Sequence, residues 1–164
     1  MRELFGCTAT AFECEAPAVA GLPYDEMLRA YARFTAVQVE QALARGAGLP
    51  EVRCRLYTAA YRMGEELRRT FGITKTAEAL ATVELLYRAL GITLHVELRG
   101  GSTAEVTVRR CLFSEYYSAS VCQLVASLDD GLFSGLSGGR LEFHRRITEG
   151  DGYCTASFRM QGGL

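Results

Sequence analysis

At Gly91 the spacing of apolar residues changes from helical to every second position, and this change constrains the fold more than any single motif. Upstream, three segments repeat apolar residues at helical spacing. The first helix is predicted from about Tyr24 to Arg45. Met27, Leu28, Tyr31, Phe34, Thr35 and Val39 recur along it, Asp25 and Glu26 suit its positive N-terminal end, and Gly46 and Gly48 stop it. Pro50 fits the first turn of a second helix, striped by Val52, Leu56, Ala60, Met63, Leu67 and Phe71 and ended by Gly72. A third begins near Thr74 or Thr76, either able to cap, and carries Leu80, Val83, Leu86, Tyr87 and Leu90.

Downstream, "ITLHVELR" alternates Ile92, Leu94, Val96 and Leu98 against Thr93, His95, Glu97 and Arg99, and "AEVTVRRC" continues the alternation beyond the turn "GGS". A fourth helix is predicted over about Ala119–Leu136, with Val121, Leu124, Val125, Leu128, Leu132 and Phe133 as its apolar side. "RLEFHRRIT" and "GYCTASFRM", joined by "EGDG", form a closing hairpin. The expectation is an α+β fold of order αααββαββ, with an antiparallel sheet packed against helices on one side. Residues 23–164 form its single domain. Residues 1–22 lack a clear period, are broken by Pro17 and Pro23, and read as a strand or docked arm.

A chain of 164 residues with 49% hydrophobic and 23% charged residues can bury a core without staples. A net charge of −1 argues against a nucleic-acid partner, because phosphate neutralisation needs a concentrated basic surface. No apolar run approaches the ~18 residues that span a bilayer, and the start lacks a basic region followed by an apolar core. No membrane partner and a cytoplasmic location follow, where the six cysteines stay reduced. They include no CxxC pair.

Strand phase places Cys154 beside Ala156, Phe158 and Met160, on the face turned to the helices. It is there either a small core residue or a thiol lining a cavity between sheet and fourth helix. Cys122 and Asp129 lie two turns apart on that helix, roughly 10 Å, a distance that two groups flanking a small ligand would span. Ser127 and Asp130 are neighbours at i, i+3. The adjacent Asp129 and Asp130 mark either a solvated face or a carboxylate with a raised pKa, fit for proton transfer. Cys111, after Arg109 and Arg110, is either an ordinary strand-end residue or a thiol activated by nearby positive charge. His95 and His144 fall on the polar phase of their strands. That phase separates His144 from Cys154 and speaks against a zinc site built from Cys122, His144 and Cys154, so neither metal nor cofactor is assigned.

The stretches "VTVRRCLFSEYY", "ASLDDGLFSGL" and "RLEFHRRITEGDGYCTASF" resemble the C-terminal half of L-2-amino-thiazoline-4-carboxylic acid hydrolases. Arg110, Cys111, Phe113, Glu115, Tyr117, Asp130, Gly150, Cys154 and Phe158 fit that pattern. With "YRMGEELRRTFG" and "ALGITLHVEL", the chain is also similar to 4-vinyl reductase domains, a ligand-binding fold related to the TRAPP-subunit and H-NOX folds. Ser127 stands where the hydrolases carry a helix cysteine, and Arg146 where zinc-holding 4-vinyl reductase sensors carry another.

The resemblance implies a small-molecule cavity between sheet and helices. The first expectation is an enzyme opening or hydrolysing a small heterocyclic or amino-acid-derived substrate. Cys111, Asp130 and Cys154 are its catalytic candidates, and Tyr117, Cys122, Ser127, Asp129 and Phe158 its substrate-binding ones. The second is a non-catalytic small-molecule sensor. A third is a scaffold that forms a homodimer through its early helices.

Overall fold

The computed structural model describes residues 21–46, 48–100 and 102–160. All but the last two residues of the expected N-terminal arm, Cys7 and Cys14 included, lie outside them. Three helices come first: α1 (Tyr24–Ala44), α2 (Leu49–Thr70) and α3 (Thr76–Ala89). Strands β1 (Ile92–Gly100) and β2 (Thr103–Cys111) follow, then a 3-10 turn at Leu112–Glu115 and helix α4 (Ala119–Ser137). The described chain closes with β3 (Gly139–Arg145), a second 3-10 turn at Ile147–Glu149, and β4 (Cys154–Met160).

Local chemistry sets the boundaries. Pro50 occupies the first turn of α2, where its missing N–H costs no helical bond. At α3 neither threonine caps: Lys75 is the boundary residue, and the Glu78 carboxylate reaches back to accept the N–H groups of Thr74 (3.2 Å) and Lys75 (3.3 Å). The Ser118 hydroxyl accepts the Val121 N–H at the start of α4, and Gly138, at φ 73°, ends that helix in the left-handed conformation.

All neighbouring strands are antiparallel, in the order β1-β2-β4-β3. Val106 faces Ala156 and Val108 faces Cys154, so alternate residues of β2 and β4 line one face. Against it pack Leu80, Val83 and Tyr87 of α3 and Leu132, Phe133 and Leu136 of α4. The Phe133 ring lies between those of Phe158 (5.8 Å) and Tyr87 (6.0 Å). Each outer strand has an amide capped by a helix carboxylate: Val96 N–H donates to Glu84 (2.8 Å), and Leu141 N–H donates to Asp130 (2.9 Å). These caps occupy groups that another strand would otherwise bond.

Helices α2 and α4 approach until their backbones nearly touch. A Cβ at Gly64 would lie 2.7 Å from the Leu132 carbonyl oxygen; at Gly131, 2.3 Å from that of Tyr57; at Gly135, 2.1 Å from that of Tyr61. Of the expected α2 stripe, Ala60 is buried and Leu67 packs against the core, and the crossing adds Gly64. Ala60 and Gly64 are its buried residues, while Phe71, 66% exposed, and Met63 face outward. Leu98 is exposed as well.

Helix α1 buries Leu28, Ala32, Ala36 and Ala42. Leu28 and Ala32 pack with Leu112, Phe113 and Tyr116 at the end of β2. The Tyr24 hydroxyl donates to the Ala89 carbonyl (2.8 Å), Arg29 pairs with Glu115 (2.9 Å), and the Arg33 guanidinium stacks over Tyr116.

Candidate functional site

The titratable groups singled out in the sequence converge where the middle of α4 meets the end of β2 and the start of β4. Asp129 is the centre. It accepts the Tyr87 hydroxyl at 2.5 Å, tying α3 to α4. Burial raises its pKa from 3.8 to about 6, against the opposing effects of the Tyr87 hydrogen bond and the Arg146 charge. Tyr87 is pushed well up in turn, chiefly by its own burial and then by the Asp129 charge.

Three thiols surround this pair, and burial raises all of them. Cys111 is pushed to about 12, so it is a neutral thiol at physiological pH. The expected activation by Arg109 and Arg110 is overturned, because both arginines are exposed and Cys111 takes its properties from the apolar side. Cys122 lies beside Thr148, and Cys154 accepts the Ile147 N–H on its Sγ at 3.4 Å. Cys154 thus holds the turn before β4, and 8% of its surface remains exposed.

Asp130 points the other way. It receives the Leu141 amide and lies 3.5 Å from Arg140, so its bonds fix the start of β3. The carboxylate turned into the thiol cluster, with its pKa raised, is Asp129 instead. Phe158 is wholly buried against Phe133. Tyr117 is half-buried beside Phe113 (5.5 Å), its hydroxyl hydrogen-bonded to Thr35 of α1 and its pKa raised mainly by burial. Ser127 is half-buried on α4. The structure therefore gathers Cys111, Cys122, Asp129 and Cys154 and sets Asp130 and Phe158 apart by role.

Two residues of this cluster had no assigned part. The Nε of Arg146 and the hydroxyl of Thr148 are buried with no hydrogen-bonding partner of good geometry. Arg146 reaches Glu149 (3.3 Å) through its terminal nitrogen and stacks on Phe143. Strand phase set Arg146 on the polar face with Glu142 and His144, so the sequence carried no signal for it.

A cleft of about 380 Å³ lies elsewhere, between Tyr57 and Tyr61 of α2 and Gly138–Arg140, and another of about 310 Å³ lies at the α2–α3 turn around Arg68 and Ile73. Neither includes a residue of the thiol cluster. Among the described residues no group of three or more His, Cys, Asp or Glu side chains is placed to hold a metal. His144 bonds Ser157 at 2.9 Å on the exposed face. Nor is any helix among them long and apolar enough to cross a membrane.

No protein family model matches the sequence, and no curated protein matches it. Among solved structures the chain is similar to trafficking protein particle complex subunit 3 from Naegleria fowleri, determined with palmitic acid covalently bound. The TM-score is 0.62 and the identity 13%, over 85% of this chain and 98% of that one. The likeness is one of fold. It corrects the resemblance to thiazoline-carboxylate hydrolases and 4-vinyl reductase domains, which no family comparison supports. The expected heterocycle hydrolase and the small-molecule sensor are overturned with it.

Proposed function

We propose that this chain is a non-enzymatic scaffold subunit of the trafficking-particle type, which assembles with a second copy of itself through helix α1. The observation that carries the proposal is the outward face of α1. Met27, Ala30, Phe34 and Val37 follow one another at i, i+3, i+7 and i+10 on the side opposite buried Leu28, Ala32 and Ala36, and Tyr31 at the edge of that side also meets Phe113 edge-on. Tyr31 is 38% exposed and Val37 48%, and Tyr24 is exposed nearby. A helix that needs only one apolar side for its own domain has no use for a second. Apolar residues at this spacing suit packing against another helix, and aromatic residues such as Tyr31 and Phe34 are the kind that anchor protein interfaces. The fold shared with a subunit of a multiprotein particle favours the same reading.

Static light scattering tests it. Wild-type protein at micromolar concentration is expected to have twice the mass of one chain. Phe34→Glu and Val37→Glu, which place charge in the seam, give one-chain mass with unchanged helical circular dichroism. A monomeric wild type, or dimers that both variants leave intact, would overturn the proposal.

A further inference from the structure

Helix α3 buries Leu80, Val83 and Tyr87 in the core, yet its outward side carries Ala77, Ala81, Leu85 and Ala89 at every fourth position. All four are exposed, Leu85 at 64%. This stripe leads to Leu98 on the outer strand. Glu84 accepts the Val96 N–H, and two residues of strand cover about the length of four residues of helix, so Leu98 falls level with Ala81. Leu98 continues the helix-facing phase of Ile92, Leu94 and Val96 but is 55% exposed, since α3 presents only small side chains at that level. The place where the chain enters the fold identifies the cover. Residues 1–20, outside the described residues, join at Gly21, whose φ of 85° suits a reversal of direction. Three residues on, the Tyr24 hydroxyl holds the Ala89 carbonyl at 2.8 Å, at one end of the stripe.

We propose that residues 1–20 fold back at Gly21 and dock along the outward face of α3, with Phe12 seated between Leu85 and Leu98. The length suffices: Ala89 to Ala77 is about 18 Å of helix, and the residues from Phe12 to Gly21 reach roughly 30 Å when extended. The chemistry matches as well. The segment offers Leu4, Phe5, Phe12 and Val19 to the apolar stripe, and Glu13 and Glu15 to Arg88, exposed at its flank. Side chains make the contact, because the Val96 amide on that edge is already taken by Glu84. The docked segment shields the uncovered end of β1 from a second chain.

Paramagnetic relaxation in methyl NMR spectra of the full chain tests the docking. With Cys7→Ser and Cys54→Ser, Cys14 is the thiol that a nitroxide reagent labels readily, since burial raises the pKa of Cys111, Cys122 and Cys154. The nitroxide is expected to erase the methyl signals of Leu85 and Leu98 and to spare those of Leu49, at the far end of α2. Isotope-labelled chains mixed with spin-labelled chains lacking the isotope are expected to show no loss, which makes the contact one within a chain. Leu85→Glu, a change at an exposed position, is expected to release the segment and restore the Leu98 signal. Leu85 and Leu98 signals no weaker than those of Leu49, a loss found in the mixed sample, or a Leu98 signal still erased in Leu85→Glu overturns the proposal.

Discussion

The closeness of α2 and α4 makes Gly135→Ala a sharp test, because two effects of opposite sign compete there. Helix propensity alone favours alanine over glycine by about 1 kcal/mol inside a helix. Sterics oppose it. The new Cβ would lie 2.1 Å from the Tyr61 carbonyl oxygen and 3.0 Å from the Glu65 nitrogen, both backbone atoms that cannot swing aside. The helices must part by about 1 Å to bring the shorter approach to 3.0 Å. Such a shift loosens the contacts of buried Ala60, Leu132 and Leu136 with their surroundings. Overpacking of this kind costs roughly 1–3 kcal/mol, and a backbone clash belongs at or beyond the upper end. The expected net loss is about 2 kcal/mol, or roughly 4–8 °C in melting temperature for a chain of this size. Scanning calorimetry reads it directly. Gly131→Ala should fall slightly less far and Gly64→Ala less again, following their closest approaches of 2.3 and 2.7 Å. Gly152→Ala, whose Cβ would meet nothing within 4 Å, serves as the neutral reference. A Gly135→Ala protein as stable as wild type, or more so, would refute the crossing.

Asp129 gives a pH prediction of definite sign. Its folded pKa of about 6 lies above the ordinary 3.8, so the native state holds the proton more tightly than the unfolded chain. The associated stability, at most roughly 3 kcal/mol, is fully present below about pH 4 and is lost as pH rises through 6. Asp129→Asn should remove that slope in denaturant titrations between pH 4 and 7.5 and be the more stable protein at the upper end. Thiol labelling with peptide mapping by mass spectrometry should find Cys54, exposed on α2, modified quickly, and Cys111 modified only on unfolding. Ser118→Ala removes the cap at α4 and is expected to cost about 1 kcal/mol in urea unfolding.

The element types were legible because period and punctuation agreed. Gly46, Gly72 and Gly91 lie just beyond the three early helices, and the alternation of Val106 and Val108 put them on the buried face as expected. The packing of α2 was legible only in part. Ala60 of the predicted stripe is buried and Leu67 packs against the core, but the close contact also uses Gly64 against Gly131 and Gly135; glycines four apart within a helix were the available signal. Which of two adjacent aspartates turns into the thiol cluster depends on the rotation of α4 about its axis, and the sequence does not fix that to 100°. Cys154 lies on the predicted face, but its sulfur's role as an acceptor for Ile147 depends on a turn with no periodic signature. Short motifs around Cys111 and Cys154 pointed to a hydrolase because small sulfur-containing patterns recur wherever a strand needs a compact buried residue. The fold neighbour shows the same architecture at 13% identity, where such motifs carry little family information.

Hydrogen-exchange mass spectrometry at two protein concentrations, about 1 µM and ~100 µM, tests the assembly most directly, because self-association is governed by mass action. The peptides spanning Tyr24–Ala44 are predicted to gain protection at the higher concentration while those of β4 exchange as before. Unchanged exchange along α1 at both concentrations, in protein whose mass remains that of one chain, would contradict the proposal that this helix is an assembly surface.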